Sequence, residues 1–496
     1  MSYLGLDIGT GGCKAVVFNG AGVELASAFR EYTILHLHPD WAELNPNEVI
    51  DKCFEVIEEV NSKISDPVVS MSISSQGEAF TPVGWDGQTL GNAMVSSDSR
   101  ARDIATDWSK SFGIDKIYDI TGHTPHPIFT LFKILWIKKS QPEIWNNSKY
   151  FLCFEDLFHF RIGLDPKISW SLAGRTMLFD VIGHQWSKDI LNATGLAVKK
   201  LATPVPSGEK TGILGLARGE KLGFKNPVMI VAGGHDQTCA ALGAGVIEPG
   251  MCMYATGTVE CFCPMFDKPS FSEELQKNNL CCYDYTIKGK YTTVAYSLTG
   301  GNILRWMRDE LGQSEVDQAA KTGENAYTLL LDAMPKSPTE LLVLPYFSAT
   351  GTPYFDTRAK GAIIGLQHTT TKGEITKALL EGVAMEMKLN LQLMERSGMK
   401  IHTFIATGGG ARNSSWTQLK ADILNKKIIV GEINEAGCYG AALLACSAFE
   451  KIPVDQLIKH NKNEIFTPNA QNAKLYNKKF TAYKQLYPVL KQFWKV

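Results

Sequence analysis

The chain has 496 residues, past the roughly 250–300 at which one hydrophobic core stops growing, so two domains are expected. It is 44% hydrophobic and 20% charged, which excludes wholesale disorder. Lys and Arg total 50 against 51 Asp and Glu, a net charge of -1 with no bulk attraction for nucleic acid.

In chain order, Tyr3, Leu4 and Leu6 lead as a strand into Gly9-Thr10-Gly11-Gly12. Ala15-Val16-Val17-Phe18 then form a second strand ending at the turn Asn19-Gly20. Val49, Ile50, Phe54, Ile57 and Val60 predict a helix over 47–62. Residues 68–74 read as a strand running into Gln76-Gly77-Glu78, and 103–200 as a mostly helical insertion. A strand over 227–232 is followed by what reads as a turn, Gly233-Gly234-His235-Asp236-Gln237. A boundary at 245–250 divides the chain into 1–245 and 246–496. Beyond it, Met251-Cys252-Met253-Tyr254 enters Ala255-Thr256-Gly257-Thr258 much as the first strand enters Gly9, which suggests an internally duplicated α/β architecture. A helix over 374–396 and a strand over 403–406 ending at Gly408-Gly409-Gly410 follow, and 474–496 reads as a surface helix. No apolar run approaches the roughly 20 residues of a membrane helix, and Asp7 stands where a signal peptide needs apolar residues. A cytoplasmic protein without membrane or nucleic-acid partners is expected. The 11 cysteines include Cys261/Cys263 and Cys281/Cys282 but form no paired CxxC modules, so they read as buried reduced thiols and not as a zinc site.

Glycine turns after strands let backbone N–H groups approach phosphate oxygens without an intervening side chain. Three occur here, at Gly9–Gly12, Thr256-Gly257-Thr258 and Gly408–Gly410. Neither GxxxxGK[ST] nor GxGxxG before a helix is present, so P-loop and Rossmann readings are unsupported. Phosphoryl transfer to an alcohol needs a carboxylate for the hydroxyl proton and groups that hold phosphates. Asp236, after a strand and two glycines, can supply the carboxylate. Asp7, beside the first turn, can hold a magnesium shell through water, and Lys14 lies alongside.

The chain resembles the FGGY family of carbohydrate kinases. The resemblance rests on Gly5-Leu6-Asp7-Ile8-Gly9-Thr10, similar to the family's first phosphate loop, and on Gly361-Ala362-Ile363-Ile364-Gly365-Leu366 with Glu374-Ile375, Ala378-Leu379-Leu380 and Glu381, which fit its C-terminal signature. Its N-terminal signature is partly kept in Thr130, Lys133, Ile134, Trp136 and Ile137, while Ile128 and Lys139 depart. Smaller echoes are Asp98-Ser99-Arg100, Gly301 with Trp306, and Gly437 with Gly440-Ala441-Ala442. Where many members carry Gly-Glu-Arg before a Thr-Pro, this chain has Ser348-Ala349-Thr350-Gly351 before Thr352-Pro353. The resemblance implies an α/β, two-domain ribonuclease-H-like (actin-like ATPase) fold, with a sugar-binding domain over 1–245, an ATP-binding domain over 246–496, and an inter-domain cleft where sugar and ATP meet.

It further implies ATP and Mg2+ as cofactors, Asp236 as the base that deprotonates the sugar hydroxyl, and Asp7 near the metal. Gly9, Thr10, Gly11, Lys14, Thr256, Gly257, Thr258, Gly301, Gly409 and Asn413 become nucleotide contacts; Asn413 also reads as a helix cap. Gln76, Gly77 and Glu78 become the substrate segment, with Asp98 and Gln237 as further hydroxyl partners. Glycerol-phosphorylating members read Gln-Arg-Glu there and xylulose-phosphorylating members Gln-Met-His. Gly77 is therefore expected to leave room for a bulkier substrate, with a ketopentose favoured over glycerol. Other sugars, sugar acids or autoinducer-type substrates remain alternatives within the family. A conformational ATPase without small-molecule chemistry is the alternative outside it. Homodimers, common in the family, fit this reading.

Overall fold

The structure, a computed structural model, describes residues 1–431, 433–458 and 464–495. Two six-stranded sheets organise it. In the first, the strand order is Lys210–Leu214, Val228–His235, Val68–Ser75, Ser2–Ile8, Gly12–Asn19, Glu24–Glu31. Ser2–Ile8 and Val228–His235 both run parallel to Val68–Ser75, and the other pairs are antiparallel. In the second, the order is Ala295–Ser297, Glu260–Pro264, Met251–Thr256, Thr403–Thr407, Lys427–Val430, Glu464–Phe466. Here Thr403–Thr407 is parallel to both of its neighbours, and the rest are antiparallel. Both sheets follow one plan: an antiparallel meander, two strands added in parallel beside its first strand, and an antiparallel edge. This is the duplicated, two-domain ribonuclease-H-like α/β fold. Only the edge differs in origin, since Lys210–Leu214 precedes its partner in the chain whereas Glu464–Phe466 follows its own.

Local chemistry sets the helices. Pro46–Ser62 begins at Asn45, whose Oδ1 accepts from the N–H of Asn47 at 3.0 Å, with Pro46 at the first helical position. Its buried face carries Val49, Ile50, Cys53, Val56, Ile57 and Val60. Replacing Asn45 by Ala should cost about 1 kcal/mol, read as a lower denaturant midpoint at unchanged slope. The long helix Lys372–Arg396 opens with a capping box, Thr371 Oγ1 accepting from Glu374 N at 3.2 Å and Glu374 Oε2 accepting from Thr371 N at 2.8 Å.

Two helices lie between the sheets, Asp236–Ala244 and Ala436–Glu450. Their backbones meet directly: a Cβ on Gly440 would strike the Cys239 carbonyl, and one on Gly243 the Ala436 carbonyl. A Cβ on Gly5 would likewise strike the backbone of Cys438. Tyr3, Phe18, Leu242, Met253, Ile405 and Tyr439 form one buried cluster across this region, so side chains from both sheets share it. Cys282, Tyr283 and Tyr291, from the second half of the sequence, pack into the core of the first sheet. All 11 cysteines are buried and unpaired.

One sequence expectation is corrected. The segment Gly233-Gly234-His235 is no turn: the strand continues to His235 and the helix starts at Asp236. The glycines serve close approach, since a Cβ on Gly233 would overlap the backbone of Ile73 and one on Gly234 would crowd Thr286 and Ser171. The C-terminal helix spans Ala470–Leu490 and lies on the surface as expected: one face buries Tyr476, Phe480, Tyr483 and Leu486 in the second domain's core, while Lys474, Asn477, Lys478 and Gln485 are exposed; Val496 lies outside the described residues. The loop before Thr352 is tied without a Glu/Arg pair: Thr350 Oγ1 accepts from Asp356 N at 2.6 Å, and Asn390 donates to Thr352 O at 3.0 Å.

Candidate active site

The carboxyl-terminal ends of the central strands of the first sheet bring Asp7, Gln76–Glu78 and Asp236 together. Asp7 accepts from Ser74 Oγ at 2.5 Å, and burial raises its carboxyl above the ordinary range despite that bond. The space beside it is closed by Gly437, whose Cβ would lie 3.3 Å from Asp7 Cγ. Asp236 opens its helix with the side chain 31% exposed. Its buried Oδ1 has no hydrogen-bond partner. His235 Nε2 is 3.1 Å away but fails hydrogen-bond geometry, so proximity alone does not satisfy that oxygen. Burial first, then the charges of Asp7 and Glu78, push the Asp236 carboxyl up to about 7. Such a group exchanges protons near neutral pH.

Glu78 has φ 61°, a left-handed backbone unusual for a side chain of its size. Two residues of the N-terminal signature hold it there. Thr130 Oγ1 donates to Glu78 O at 3.0 Å, and the buried Lys133 ammonium reaches the same oxygen at 3.4 Å and Val95 O at 2.7 Å. Burial lowers Lys133 to about 8. The Glu78 carboxylate faces Arg175, whose Nε donates to Oε1 at 2.7 Å and whose terminal nitrogen reaches the same oxygen. Arg175 also meets His123 Nε2 at 2.9 Å. With Nδ1 2.7 Å from Thr121 O, His123 is held neutral, its pKa lowered to about 3 by burial and then by Arg175. His235 Nδ1 lies 2.9 Å from the Tyr283 hydroxyl.

Three expectations change here. Gly77 leaves no free room, since a Cβ would meet His235 at 3.0 Å and Arg175 at 3.4 Å. Asp98 does not face a substrate; its oxygens accept from Ala42 N at 2.8 Å and Arg100 Nε at 2.9 Å, with no side-chain exposure. Gln76 does not stand free either. Its Nε2 donates to Gly9 O at 2.8 Å and its Oε1 accepts from Thr10 Oγ1 at 3.2 Å, tying the segment Gln76–Glu78 to the first glycine turn. Gln237 sits half-buried in the first turn after Asp236.

Across the cleft, Gly301 N donates to Gly257 O at 2.8 Å, joining the second glycine turn to the helix Gly301–Trp306, and Asn302 N donates to Thr258 O at 3.3 Å. Gly301, Gly409 and Asn413 line a cavity of about 440 Å³ together with Tyr327, Arg412 and Trp416. Asn413 also caps the next helix, accepting from Trp416 N at 2.9 Å. Cβ atoms on Gly11 and Gly409 would meet nothing within 4 Å, so these turns present bare backbone to open space. Lys14 is engaged with Glu435 at 2.8 Å. Below the second turn, the buried Lys420 lies 2.6 Å from both Thr256 Oγ1 and Glu260 Oε1, and Tyr254 donates its hydroxyl to Glu260 Oε2. Arg175, His123, Lys420 and Glu260 were not singled out from sequence. An arginine closing the apolar run Ser171-Leu172-Ala173-Gly174 was the available signal for the first.

Carboxylates at the end of one sheet, with bare glycine turns and an open cavity on a matching sheet, fit a phosphotransferase of the two-domain type. The family models for the FGGY carbohydrate kinases match on both sides, the N-terminal domain over residues 2–243 and the C-terminal domain over 252–449. The chain belongs to the FGGY family of carbohydrate kinases, and it is a sugar kinase. It is 28% identical to the xylulose kinase of Bacillus subtilis (strain 168) over 499 residues, covering 98% of this chain and 97% of that one. It is 27% identical over 455 residues to the gluconokinase of the same organism, covering 90% and 88%. In fold it is similar to the ligand-bound xylulose kinase from Lactobacillus acidophilus, with a TM-score of 0.90, 22% identity and coverage of 99% and 98%. Among the described residues no helix is long and apolar enough to cross a membrane, and no group of three or more His, Cys, Asp or Glu is placed to hold a metal.

Proposed function

We propose that this kinase transfers a phosphoryl group from ATP to a hydroxyl of a small sugar or polyol, a ketopentose being the favoured substrate, with Asp236 as the general base. The observation that carries this reading is Asp236 itself. Its carboxyl opens a helix at the cleft, with one oxygen unpartnered and a pKa raised to about 7. The ketopentose preference is supported by relatives named xylulose kinase.

The residues present fit the implied cofactors. Gly301, Gly409 and Asn413 would hold the nucleotide, because they line the cavity, with Gly257 tied to Gly301 beside them. Asp7 would hold Mg2+ through water: its charge and that of Asp236 repel each other, and a divalent ion would relieve that repulsion. When bound, ATP supplies the phosphoryl group and the metal offsets its charge. The chain's own work is then geometric and protolytic. Glu78 orients the substrate by accepting from its hydroxyls. Asp236 accepts the proton of the attacking hydroxyl as the new bond forms. Gln76 couples that segment to the first phosphate turn through Gly9 and Thr10.

The direct test is ADP release by the purified chain against D-xylulose, other ketoses, aldoses, aldonates and polyols, with a no-sugar blank. Turnover of one or two sugars at least tenfold above the blank is expected. Strong hydrolysis that ignores the sugar would sink this reading.

A further inference from the structure

The chain's relatives include kinases named for a neutral sugar and for a sugar acid, and the charges behind Gly77 bear on which of the two this site suits. A carboxylate-bearing substrate needs a cation free to bind it, by preference the planar fork of an arginine. Among the described residues, the arginine that bonds to the substrate segment is Arg175, with its side chain 11% exposed. That fork is already filled. Two of its nitrogens hold Glu78 Oε1, while the remaining terminal nitrogen lies 2.9 Å from His123 Nε2 and 3.9 Å from Cys281 Sγ. The rings of Phe129 and Tyr283, each 5.3 Å from the guanidinium, wall it in. Gly77 is part of the same device, because a side chain there would collide with His235 and press on Arg175.

Resting on the kinase reading above, we propose that the Arg175–Glu78 pair makes this a site for neutral polyhydroxy sugars and excludes sugar acids, Glu78 presenting the binding oxygen and Arg175 positioning it. Among the described residues, nothing donates to Glu78 Oε2, so one acceptor of the pair remains for a sugar hydroxyl. A sugar carboxylate there would face Glu78, Asp236 and Asp7 together, and would reach Arg175 only by displacing Glu78. Removing one partner of a buried pair exposes the other's full charge. Glu78→Gln keeps an oxygen for Arg175 to bond but leaves the guanidinium charge uncompensated at the substrate wall, which is the electrostatics an aldonate needs.

The test measures kcat and KM of the full chain with Mg-ATP on two matched pairs, D-xylulose against D-xylonate and D-fructose against D-gluconate. For the wild type, kcat/KM should favour the neutral member of the better pair at least 100-fold. In Glu78→Gln that ratio should shrink at least tenfold. Arg175→Lys should keep the preference while raising KM for the neutral sugar, and Arg175→Met should raise KM further without gaining the acid. Thermal unfolding of each variant identifies a fold loss, and Arg175→Lys carries the test if Glu78→Gln does not fold. Wild-type turnover of an aldonate at rates matching its neutral partner would overturn this assignment and leave the kinase reading intact. An unchanged ratio in folded Glu78→Gln would overturn it equally. Turnover of none of the four, with sugar-independent hydrolysis instead, would overturn the kinase reading and this one with it.

Discussion

Replacing Asp236 by Asn should lower kcat about 10³-fold or more while nucleotide affinity, read by calorimetry, stays within about twofold. The amide keeps the size of the carboxyl and removes its basicity, and the cavity lined by Gly301, Gly409 and Asn413 lies on the opposite domain. A variant retaining a tenth of the activity would remove Asp236 from the role of base. The pH dependence supplies a second readout. The base works only deprotonated, and its pKa is raised to about 7. Wild-type kcat/KM should therefore fall about tenfold per pH unit below neutrality, whereas the residual activity of Asp236→Asn should not follow that limb. Stability should move the other way. A carboxyl whose pKa rises from 3.8 unfolded to about 7 folded binds more protons in the native state, so the fold loses stability as pH climbs between those values. Above pH 7 the charged Asp236 is a net cost, which Asn removes. At pH 8 the variant should melt roughly 2–4 °C higher, for a gain of about 1 kcal/mol.

Lys420→Met should be the most destabilising of the changes considered, costing about 3–5 kcal/mol in denaturant unfolding. Its ammonium is 3% exposed beside a Glu260 with no exposure, between the rings of Tyr254 and Trp416 at 4.5 and 4.4 Å. Removing the cation strands a buried carboxylate directly beneath Thr256, so KM for ATP should rise in whatever protein remains folded. The double variant Lys420→Met/Glu260→Gln should recover more than half of the loss, because the stranded charge is gone. A cost below 1 kcal/mol for the single change would mean that water reaches Glu260 and the pair is not buried in solution.

The parts of this molecule written in short-range pattern were legible in its sequence. The strand before Gly9, the helix facing Val49 and Val60, the echo at Thr256 and the capping role of Asn413 all depend on neighbours within a few positions, and the structure has them. What was not legible joins distant positions. Glu78 and Arg175 stand 97 residues apart, and Lys420 stands 164 residues from Thr256. No periodicity connects such pairs. Gly77 was misread for the same reason: a missing side chain suggests room, but His235 and Arg175 arrive from elsewhere and fill it. Asp98 was misread although its partner was near, since Arg100 two positions on is where its charge goes. The two glycines before Asp236 looked like a turn because close approach to Ile73 leaves no mark in the local sequence.

The backbone crossing of the helices Asp236–Ala244 and Ala436–Glu450 also has an electrostatic consequence. Each helix carries a partial positive charge at its first turn, where peptide N–H groups lack partners. One first turn bears Asp236; the other bears Gly437, against the carboxylate of Asp7. The crossing runs antiparallel: Gly243, in the last turn of one helix, meets Ala436 at the start of the other, and Gly440 meets Cys239. The positive first turn of Ala436–Glu450 therefore lies against the negative last turn of its neighbour while also facing Asp7 through Gly437. The glycines at the crossing thus serve the charge balance of the site as much as its packing.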